Sequence, residues 1–241
     1  MIKGILFDKD GTLLDIEKTW VPVAKRVCQT LVNEFAPGVN PERLLEAIGI
    51  VRDEVLPTGS MAKGTNADIA HDLALALREA GVVVEQQRFA LMSEECFTKF
   101  SSDVSIVPAI KQLPGLIDRL KNRGLCIGLA TSDNVISARH CLDQLDILPY
   151  FDFIGADDGD MLPKPDIQMM NIFCERCALI PEEVVMVGDT MVDIAFGRES
   201  GAGLVIGIEK EHSDVGKAAD ISIRSIAELM DEQEKLIWEK S

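Results

Sequence analysis

The chain has 241 residues, and 24 Lys and Arg against 40 Asp and Glu give a formal net charge of −16. Apolar residues make up 47 % and charged residues 27 %, which is typical of a folded globular protein and excludes a disordered chain. The acidic balance, without any basic stripe, argues against nucleic acid and anionic membrane surfaces as partners. An anionic ligand would therefore need local cations at its site.

Six short apolar runs predict buried strands, because they are nearly continuous rather than alternating. In chain order they are residues 2–7, 125–130, 151–156, 184–188, 203–208 and 219–223. Helical patterns alternate with them at 114–124, 137–147, 165–179 and 191–201. This alternation predicts an α/β fold with a doubly wound parallel sheet.

Residues 15–102 do not follow that alternation. Four amphipathic helical patterns succeed one another there, at 20–35, 41–50, 66–81 and 84–100, and a Gly-rich polar stretch at 56–65 divides them. We therefore predict a helical domain over 15–102, inserted into a discontinuous sheet domain made of 1–14 and 103–241. Residues 226–240 predict a final helix that docks through Leu229, Leu236 and Ile237.

The cysteines and the apolar runs bear on the cellular setting. The cysteines are scattered, several of them in apolar runs, which favours a cytoplasmic protein. Cys174 and Cys177 have CxxC spacing, but no second pair or nearby His completes a zinc set, and both match the apolar stripe of a helix. We expect both to pack in the core. Without a leader segment or a run that could span a bilayer, we expect a soluble protein.

Polar side chains follow the predicted strands where each strand ends. Because ligands of open α/β sheets bind beyond the carboxyl ends of the strands, these side chains are the candidate site. They are Asp8, Asp10, Thr131, Ser132, Lys164 between two prolines, Asp189 and, one helical turn later, Asp193.

Each of these side chains has an ordinary structural alternative when it is taken alone. Asp8 and Asp10 could form a turn with Gly11, Thr131 and Asp189 could cap helices, and Lys164 could be an exposed surface residue. Four independent strand ends that deliver complementary charges to one edge favour a shared site instead.

The combination fits Mg²⁺-assisted phosphoryl transfer. Mg²⁺ prefers hard oxygen ligands, so Asp8, Asp189 and the main-chain carbonyl of Asp10 are candidate ligands. Lys164 would neutralise charge on the transferring group, and the Thr131 hydroxyl would hydrogen-bond it. A carboxylate can attack phosphorus and form an aspartyl-phosphate, which suits Asp8, while Asp10 could carry the protons.

Four segments carry a family resemblance. FDKDGTL (7–13), LATSDN (129–134), LPKPD (162–166) and VGDTMVD (187–193) resemble, in this order, the four motifs of the haloacid dehalogenase superfamily of phosphohydrolases, in its phosphoglycolate phosphatase-like branch. The resemblance implies a Rossmann-like core with an α-helical cap domain inserted after the first motif.

By match to those motifs, the resemblance also implies roles. Asp8 corresponds to the nucleophile, Asp10 to the acid/base, and Thr131 and Lys164 to the phosphoryl stabilisers. Asp189 corresponds to a Mg²⁺ ligand, and Asp193 to a supporting acid in the metal site that orients Lys164 or metal-bound water. The chain departs from the pattern at two positions, Lys9, where the phosphoglycolate phosphatases usually carry an apolar residue, and Ile167, where a second proline is common.

The sequence thus predicts a Mg²⁺-dependent phosphatase that acts on a small phosphorylated metabolite similar to phosphoglycolate. A sugar phosphomutase of the same superfamily uses the same motifs and is the main alternative. A non-enzymatic phospho-receiver or binding relative is a more distant one. Ser132 and two cap cations, Arg52 and Lys63, are candidate substrate contacts, although exposed helix or loop charge also explains the two cations. The sequence leaves the oligomeric state open.

Overall fold

The computed structural model describes residues 1–157, 161–211 and 213–239. The strands in these ranges are β1 Gly4–Phe7, β2 Ile50–Val51, β3 Glu54–Val55, β4 Cys126–Ala130, β5 Phe153–Gly155, β6 Val184–Gly188, β7 Leu204–Ile208 and β8 Ile221–Ile223. The α-helices are α1 Ile16–Phe35, α2 Glu42–Ala47, α3 Ser60–Lys63, α4 Asn66–Glu79, α5 Gln86–Ser101, α6 Leu113–Asn122, α7 Val135–Gln144, α8 Gln168–Cys177, α9 Met191–Glu199 and α10 Val215–Ala218. Short 3₁₀ helices lie at Leu148–Tyr150, Pro181–Glu183, Ile226–Leu229 and Ile237–Glu239.

The chain divides into two compact units. The first, here called the sheet unit, comprises Met1–Asp15 and Ile106–Ser241, and the second, the helical unit, comprises Ile16–Ser105. No helix among the described residues is both long enough and apolar enough to cross a lipid bilayer.

The sheet unit contains a six-stranded sheet with the order β5-β4-β1-β6-β7-β8. Every adjacent pair is parallel, and Gly4 of β1 lies opposite Cys126 of β4 and Val184 of β6. The central strands β1 and β6 are buried along their whole length, which is why their sequences are continuously apolar. The predicted α/β fold with a parallel sheet is therefore confirmed.

The core of the sheet unit lies between the sheet and helices α8 and α9. Leu6, Phe173, Met186 and Phe196 are buried there in one apolar cluster. A Cβ at Gly128 would meet Leu6 and Phe173, so the absence of a side chain lets α8 approach β4 closely. This packing fixes the strand ends relative to the loops that follow them.

In the helical unit, α1 packs against α5 and α2, and α4 packs against α5 and α2. The predicted helix over 41–50 is shorter than expected, because Gly49 has φ +88° and the chain turns into β2. β2 and β3 form a hairpin whose turn residues, Arg52 and Asp53, both have positive φ. The polar stretch at 56–65 contains the short helix α3.

The predicted C-terminal helix over 226–240 is wrong in its described part. Two 3₁₀ segments are separated by a turn in which Glu234 has φ +61°. The Asp231 side chain accepts hydrogen bonds from the backbone N–H groups of Gln233 and Lys235, which gives the backbone an alternative to a helix. Leu229 and Leu236 are buried as expected and Ile237 is half-buried, so the segment docks without forming one continuous helix.

Of the two CxxC cysteines, one is a free thiol and the other is in a disulfide bond. Cys174 is free and packs in the core as expected. Cys177 forms a disulfide with Cys126, and their Cα atoms are 6.3 Å apart. The expectation that Cys177 only packs in the core is therefore wrong. No local pattern predicts this pairing, because the partners lie 51 residues apart.

Candidate active site

Three neighbouring strands deliver polar side chains to one edge of the sheet. Asp8 follows β1, Thr131 follows β4 and Asp189 follows β6, and all three side chains are buried. β1 lies between β4 and β6, so the three positions are adjacent at the carboxyl edge. Lys164 joins them from the loop before α8, where its peptide bond to Pro165 is cis.

Lys164 connects two of the predicted aspartates. Its Nζ atom lies 2.6 Å from Oδ1 of Asp8 and 2.5 Å from Oδ1 of Asp193. Burial alone would lower the pKa of Lys164, but the Asp193 and Asp8 carboxylates outweigh it and raise the pKa above its usual value. Lys164 is therefore a fixed ammonium at the strand ends, and the alternative of an exposed surface lysine is wrong.

Asp193 is held in place by the first turn of α9. Its Oδ2 atom accepts hydrogen bonds from the backbone N–H of Thr190, at 3.0 Å, and from the Thr190 hydroxyl, at 2.7 Å. This capping box leaves Oδ1 for Lys164. A Cβ at Gly188 would overlap the Asp193 side chain, so glycine at the end of β6 is what makes room for this carboxylate.

Asp189 pairs with Lys210, whose Nζ lies 2.5 Å from Oδ2. Its Oδ1 atom is buried and has no hydrogen-bond partner among the described residues. Burial raises the pKa of Asp189 to about 6, and the Lys210 ammonium opposes that rise. A buried carboxylate oxygen without a donor is costly unless something else binds it.

Asp8 is also a buried carboxylate whose ionised form is disfavoured. Burial raises its pKa well above the usual value, Lys164 opposes the rise, and the carboxylates of Asp193, Asp189 and Asp10 add to it. Carboxylate oxygens of Asp8, Asp189 and Asp193 lie within 4.8 Å of one another. Hard oxygen donors at this spacing fit a divalent cation such as Mg²⁺, and within the described ranges Oδ1 of Asp189 has no other partner.

The Asp10 carboxylate contacts a different group. Its oxygens lie 3.0 and 3.2 Å from Nζ of Lys9, which also lies 2.8 Å from Oδ2 of Asp133. Of the four residues predicted for the metal site, Asp8, Asp189 and Asp193 belong to the carboxylate cluster described above. For Asp10, the predicted ligand is the main-chain carbonyl oxygen, and this role stays a prediction.

Other residues cap the helices that follow Thr131 and Asp189. Asn134, not Thr131, caps α7, since its side chain accepts from the backbone N–H of Ser137. Thr190, not Asp189, caps α9. The Thr131 hydroxyl instead accepts a hydrogen bond of 3.2 Å from the backbone N–H of Asp133. Thr131 and Asp189 are thus not in place to serve as helix caps.

The three candidate substrate contacts lie in different settings. Ser132 is half-buried in the loop that follows β4. Arg52 is exposed at the tip of the β2–β3 hairpin, and Lys63 is exposed at the end of α3. Their roles stay predictions.

Sequence reasoning missed Lys210 and Asp133, and treated Lys9 only as a departure from a pattern. Lys210 comes two residues after β7, so the strand-end rule that selected Asp8 could have selected it. Asp133 stands inside the second motif and could have been noted for its charge. No sequence signal indicates that Lys9 is buried, because an exposed lysine is the usual case.

Phosphatases are among the known proteins to which the chain is similar. The chain is 26 % identical over 230 residues to phosphoglycolate phosphatase of Shigella boydii, covering 92 % of this chain and 86 % of that protein. It is 26 % identical to N-acetylmuramic acid 6-phosphate phosphatase of Pseudomonas aeruginosa, covering 95 % of this chain and 94 % of that protein. A crystal structure described as a predicted phosphoglycolate phosphatase from Haemophilus somnus matches with a TM-score of 0.71 and 16 % identity, over 94 % of this chain and 96 % of that one.

That solved structure supports the fold, and the sequence match defines the family. Residues 2–201 match the model of the haloacid dehalogenase-like hydrolases. This range contains Asp8, Thr131, Lys164, Asp189 and Asp193, which meet at one edge of the sheet. The chain belongs to the haloacid dehalogenase-like hydrolases.

Proposed function

We propose that this hydrolase is a Mg²⁺-dependent phosphatase that removes the phosphoryl group of a small phosphomonoester through an aspartyl-phosphate on Asp8. The observation that carries the proposal is the buried cluster of Asp8, Lys164, Asp189 and Asp193 at the strand ends, with one carboxylate oxygen of Asp189 left without a hydrogen-bond partner among the described residues. The names of the two relatives, both phosphatases, support the reaction class.

The first half of the proposed reaction phosphorylates Asp8. Its Oδ2 atom, the oxygen that Lys164 does not contact, attacks phosphorus while the bond to the leaving oxygen breaks. Asp10 gives a proton to that oxygen, so the product leaves as an alcohol. The Lys164 ammonium and the Thr131 hydroxyl bind phosphoryl oxygens and offset their developing charge.

The second half regenerates the enzyme. Water attacks phosphorus and transfers a proton to the Asp10 carboxylate, and the bond between phosphorus and Oδ2 of Asp8 breaks. Inorganic phosphate leaves, and Asp8 is again a carboxylate. Asp193 takes no part in bond making, and through its Oδ1 contact it holds the Lys164 ammonium beside Asp8.

A divalent cation would be held by Asp8, Asp189 and the main-chain carbonyl of Asp10, with Asp193 beside them. It would supply positive charge that favours the ionised form of Asp8 and binds a phosphoryl oxygen. Lys210, which pairs with Asp189, would have to share this carboxylate with the cation.

The substrate class is proposed from two observations. The substrates named for the two relatives, phosphoglycolate and N-acetylmuramic acid 6-phosphate, are both phosphomonoesters that also carry a carboxylate. Arg52 and Lys63, exposed cations of the helical unit, are proposed to pair with such a second anionic group, and Ser132 to contact the phosphoester. The helical unit is accordingly proposed to be the cap domain.

The test is a panel of phosphorylated metabolites assayed with Mg²⁺, with and without EDTA, for release of inorganic phosphate. We expect small phosphomonoesters to be hydrolysed, and both EDTA and Asp8→Asn to lower the rate by at least about 10³-fold. The matched control is Asp214→Asn, because the Asp214 side chain is 74 % exposed and lies outside the site. It should retain the wild-type rate.

A covalent adduct separates the alternatives. Acid quenching during turnover should leave one phosphoryl group on the wild-type chain and none on Asp8→Asn, as mass spectrometry would show. An isomerised sugar phosphate without free phosphate would identify a mutase instead. Phosphorylation without turnover would identify a receiver-like protein. Hydrolysis that survives Asp8→Asn would contradict the mechanism.

A further inference from the structure

Lys9 stands between the two aspartates of the first motif, Asp8 and Asp10. The structure places it at 0 % exposure, among the largest fully buried side chains of the chain. Lysines are almost never fully buried unless they are paired, because removing an ammonium from water is costly. The proposed reaction gives Lys9 no role, so its burial needs another explanation.

The surroundings of Lys9 supply its partners. Nζ lies 3.0 Å from Oδ2 and 3.2 Å from Oδ1 of Asp10, 2.8 Å from Oδ2 of Asp133 and 3.8 Å from Sγ of Cys141. Asp10 belongs to the first motif, and Asp133 belongs to the second. The ammonium therefore joins the loop after β1 to the loop after β4.

Asp133 is itself held by several hydrogen bonds. Its Oδ1 accepts from the backbone N–H of Asn134 at 2.8 Å and from the Asn134 side chain at 3.3 Å, and its own N–H donates to Thr131. The Lys9 carbonyl accepts from the N–H of Leu13 at 2.9 Å, which closes the loop after β1. Both ends of the link are thus anchored to backbone, and the Asp10 side chain contacts this fixed ammonium.

We propose that Lys9 is a positioning residue that holds the Asp10 carboxylate in the orientation needed for proton transfer, by tying it through Asp133 to the loop that carries Thr131. Lys9 does not touch the substrate and acts through Asp10. The inference rests on the proposed function, since Asp10 must carry the protons for its orientation to matter. A misplacement of about 1 Å at such a group lowers the rate by up to about 10²-fold.

The test compares wild type, Lys9→Met, Asp10→Asn and the double variant, with p-nitrophenyl phosphate as the probe. Methionine keeps the apolar stem and removes the charge. The phosphoenzyme is formed with Mg²⁺ and its decay is followed by acid quench, because water must lose a proton to Asp10 in that step. This leaving group departs with little help from an acid, so Asp8 should still become phosphorylated in every variant.

We expect Lys9→Met to slow the decay, and to lower kcat, by about tenfold to a hundredfold, with KM within about threefold of wild type. In the Asp10→Asn background the same substitution should change the decay by less than about twofold, because there is no carboxylate left to orient. Lys9→Arg keeps a cation in place and should recover part of the lost rate.

Two results would overturn the inference. One is a Lys9→Met enzyme with wild-type kcat and decay. The other is a Lys9→Met effect of equal size with and without the Asp10 carboxylate, which would make the role merely structural. If wild type itself forms no phosphoenzyme and shows no Mg²⁺-dependent hydrolysis, the proposed function has failed instead.

A second variant covers the case in which Lys9→Met does not fold. Asp133→Asn leaves Lys9 in place and weakens its anchor on the other side. It should slow phosphoenzyme decay by about threefold to tenfold in the wild-type background and by less than about twofold in Asp10→Asn. Equal slowing in both backgrounds, or none in either, would again overturn the inference.

Discussion

The two units of the chain handle charge in opposite ways. Among the described residues of the sheet unit, five charged side chains are buried, Asp8, Lys9, Lys164, Asp189 and Asp193, and all five lie near the carboxyl edge of the sheet. Among the described residues of the helical unit, the buried polar side chains are uncharged, and ion pairs such as Lys25–Asp53 and Arg88–Glu34 are exposed. The charged side chains of the described helical unit therefore keep contact with water.

This difference supports the proposal that the active site lies in the sheet unit. Burying an ion pair contributes little to stability compared with apolar residues of the same volume, so buried charge is more readily explained by function than by folding. An exposed pair keeps most of its hydration and contributes about 0 to 1 kcal/mol. We therefore expect substitutions of the buried charges of the sheet unit to change catalysis, and substitutions of charge in the helical unit to change at most substrate choice.

The largest expected effect comes from removing the buried ammonium. Lys164→Met leaves Asp8 and Asp193 facing each other without a cation, and should lower kcat by at least about 10³-fold. It should also destabilise the metal-free protein by about 3 to 5 kcal/mol, since a buried pair loses one partner. Steady-state kinetics and urea unfolding in EDTA would measure the two effects. The control Lys217→Met removes an exposed cation and should change neither.

Metal binding should have the next largest effect. Because Asp189 has a buried oxygen that accepts no hydrogen bond from the described part of the chain, a bound cation should stabilise the folded state. At tenfold the dissociation constant, Mg²⁺ should add about 1.4 kcal/mol, which raises Tm by roughly 3 to 6 °C for a chain of this size. Thermal unfolding with and without Mg²⁺ measures this shift. A shift that persists in Asp189→Asn would place the metal elsewhere.

A smaller effect is expected from the hairpin of the helical unit. Arg52→Ala should raise KM about fivefold to tenfold for a phosphomonoester that carries a carboxylate, and leave KM for an uncharged alkyl phosphate within about twofold. Measuring both substrates on the same variant separates recognition from general damage. Equal changes for both substrates would remove Arg52 from the proposed substrate site, and a loss of kcat would weaken the contrast between the units.

The smallest effect is expected at an exposed pair. Arg88→Ala removes a contact of 2.7 Å to Glu34, in which the two side chains are 65 % and 44 % exposed. We expect the free energy of unfolding to fall by about 0 to 1 kcal/mol and kcat and KM to stay at wild-type values. Urea unfolding and the phosphatase assay would check this. A large loss of activity would show that the helical unit shapes the chemistry as well.

The sequence predicted the architecture of the sheet unit because that information is local. Six buried strands were readable from continuous apolar runs. The helical pattern over 114–124 corresponds to α6, which ends two residues before Gly124, where φ is +78°. The strand-end rule then selected Asp8, Lys164, Asp189 and Asp193 as neighbours, and the structure brings these side chains together. The β2–β3 hairpin was missed, since two-residue strands carry too short a pattern to read.

Which groups those side chains meet was decided only by the tertiary structure. Lys9 and Cys141 are 132 residues apart, Lys164 and Asp8 are 156 apart, and Cys126 and Cys177 are 51 apart, so no local pattern encodes these contacts. The burial of Lys9 and the pairing of Lys210 with Asp189 depend on how loops pack beyond the sheet edge. Local periodicity specifies which residues lie in a strand and where it ends. Packing of distant segments decides which charges are desolvated together, and so which groups can act on one another.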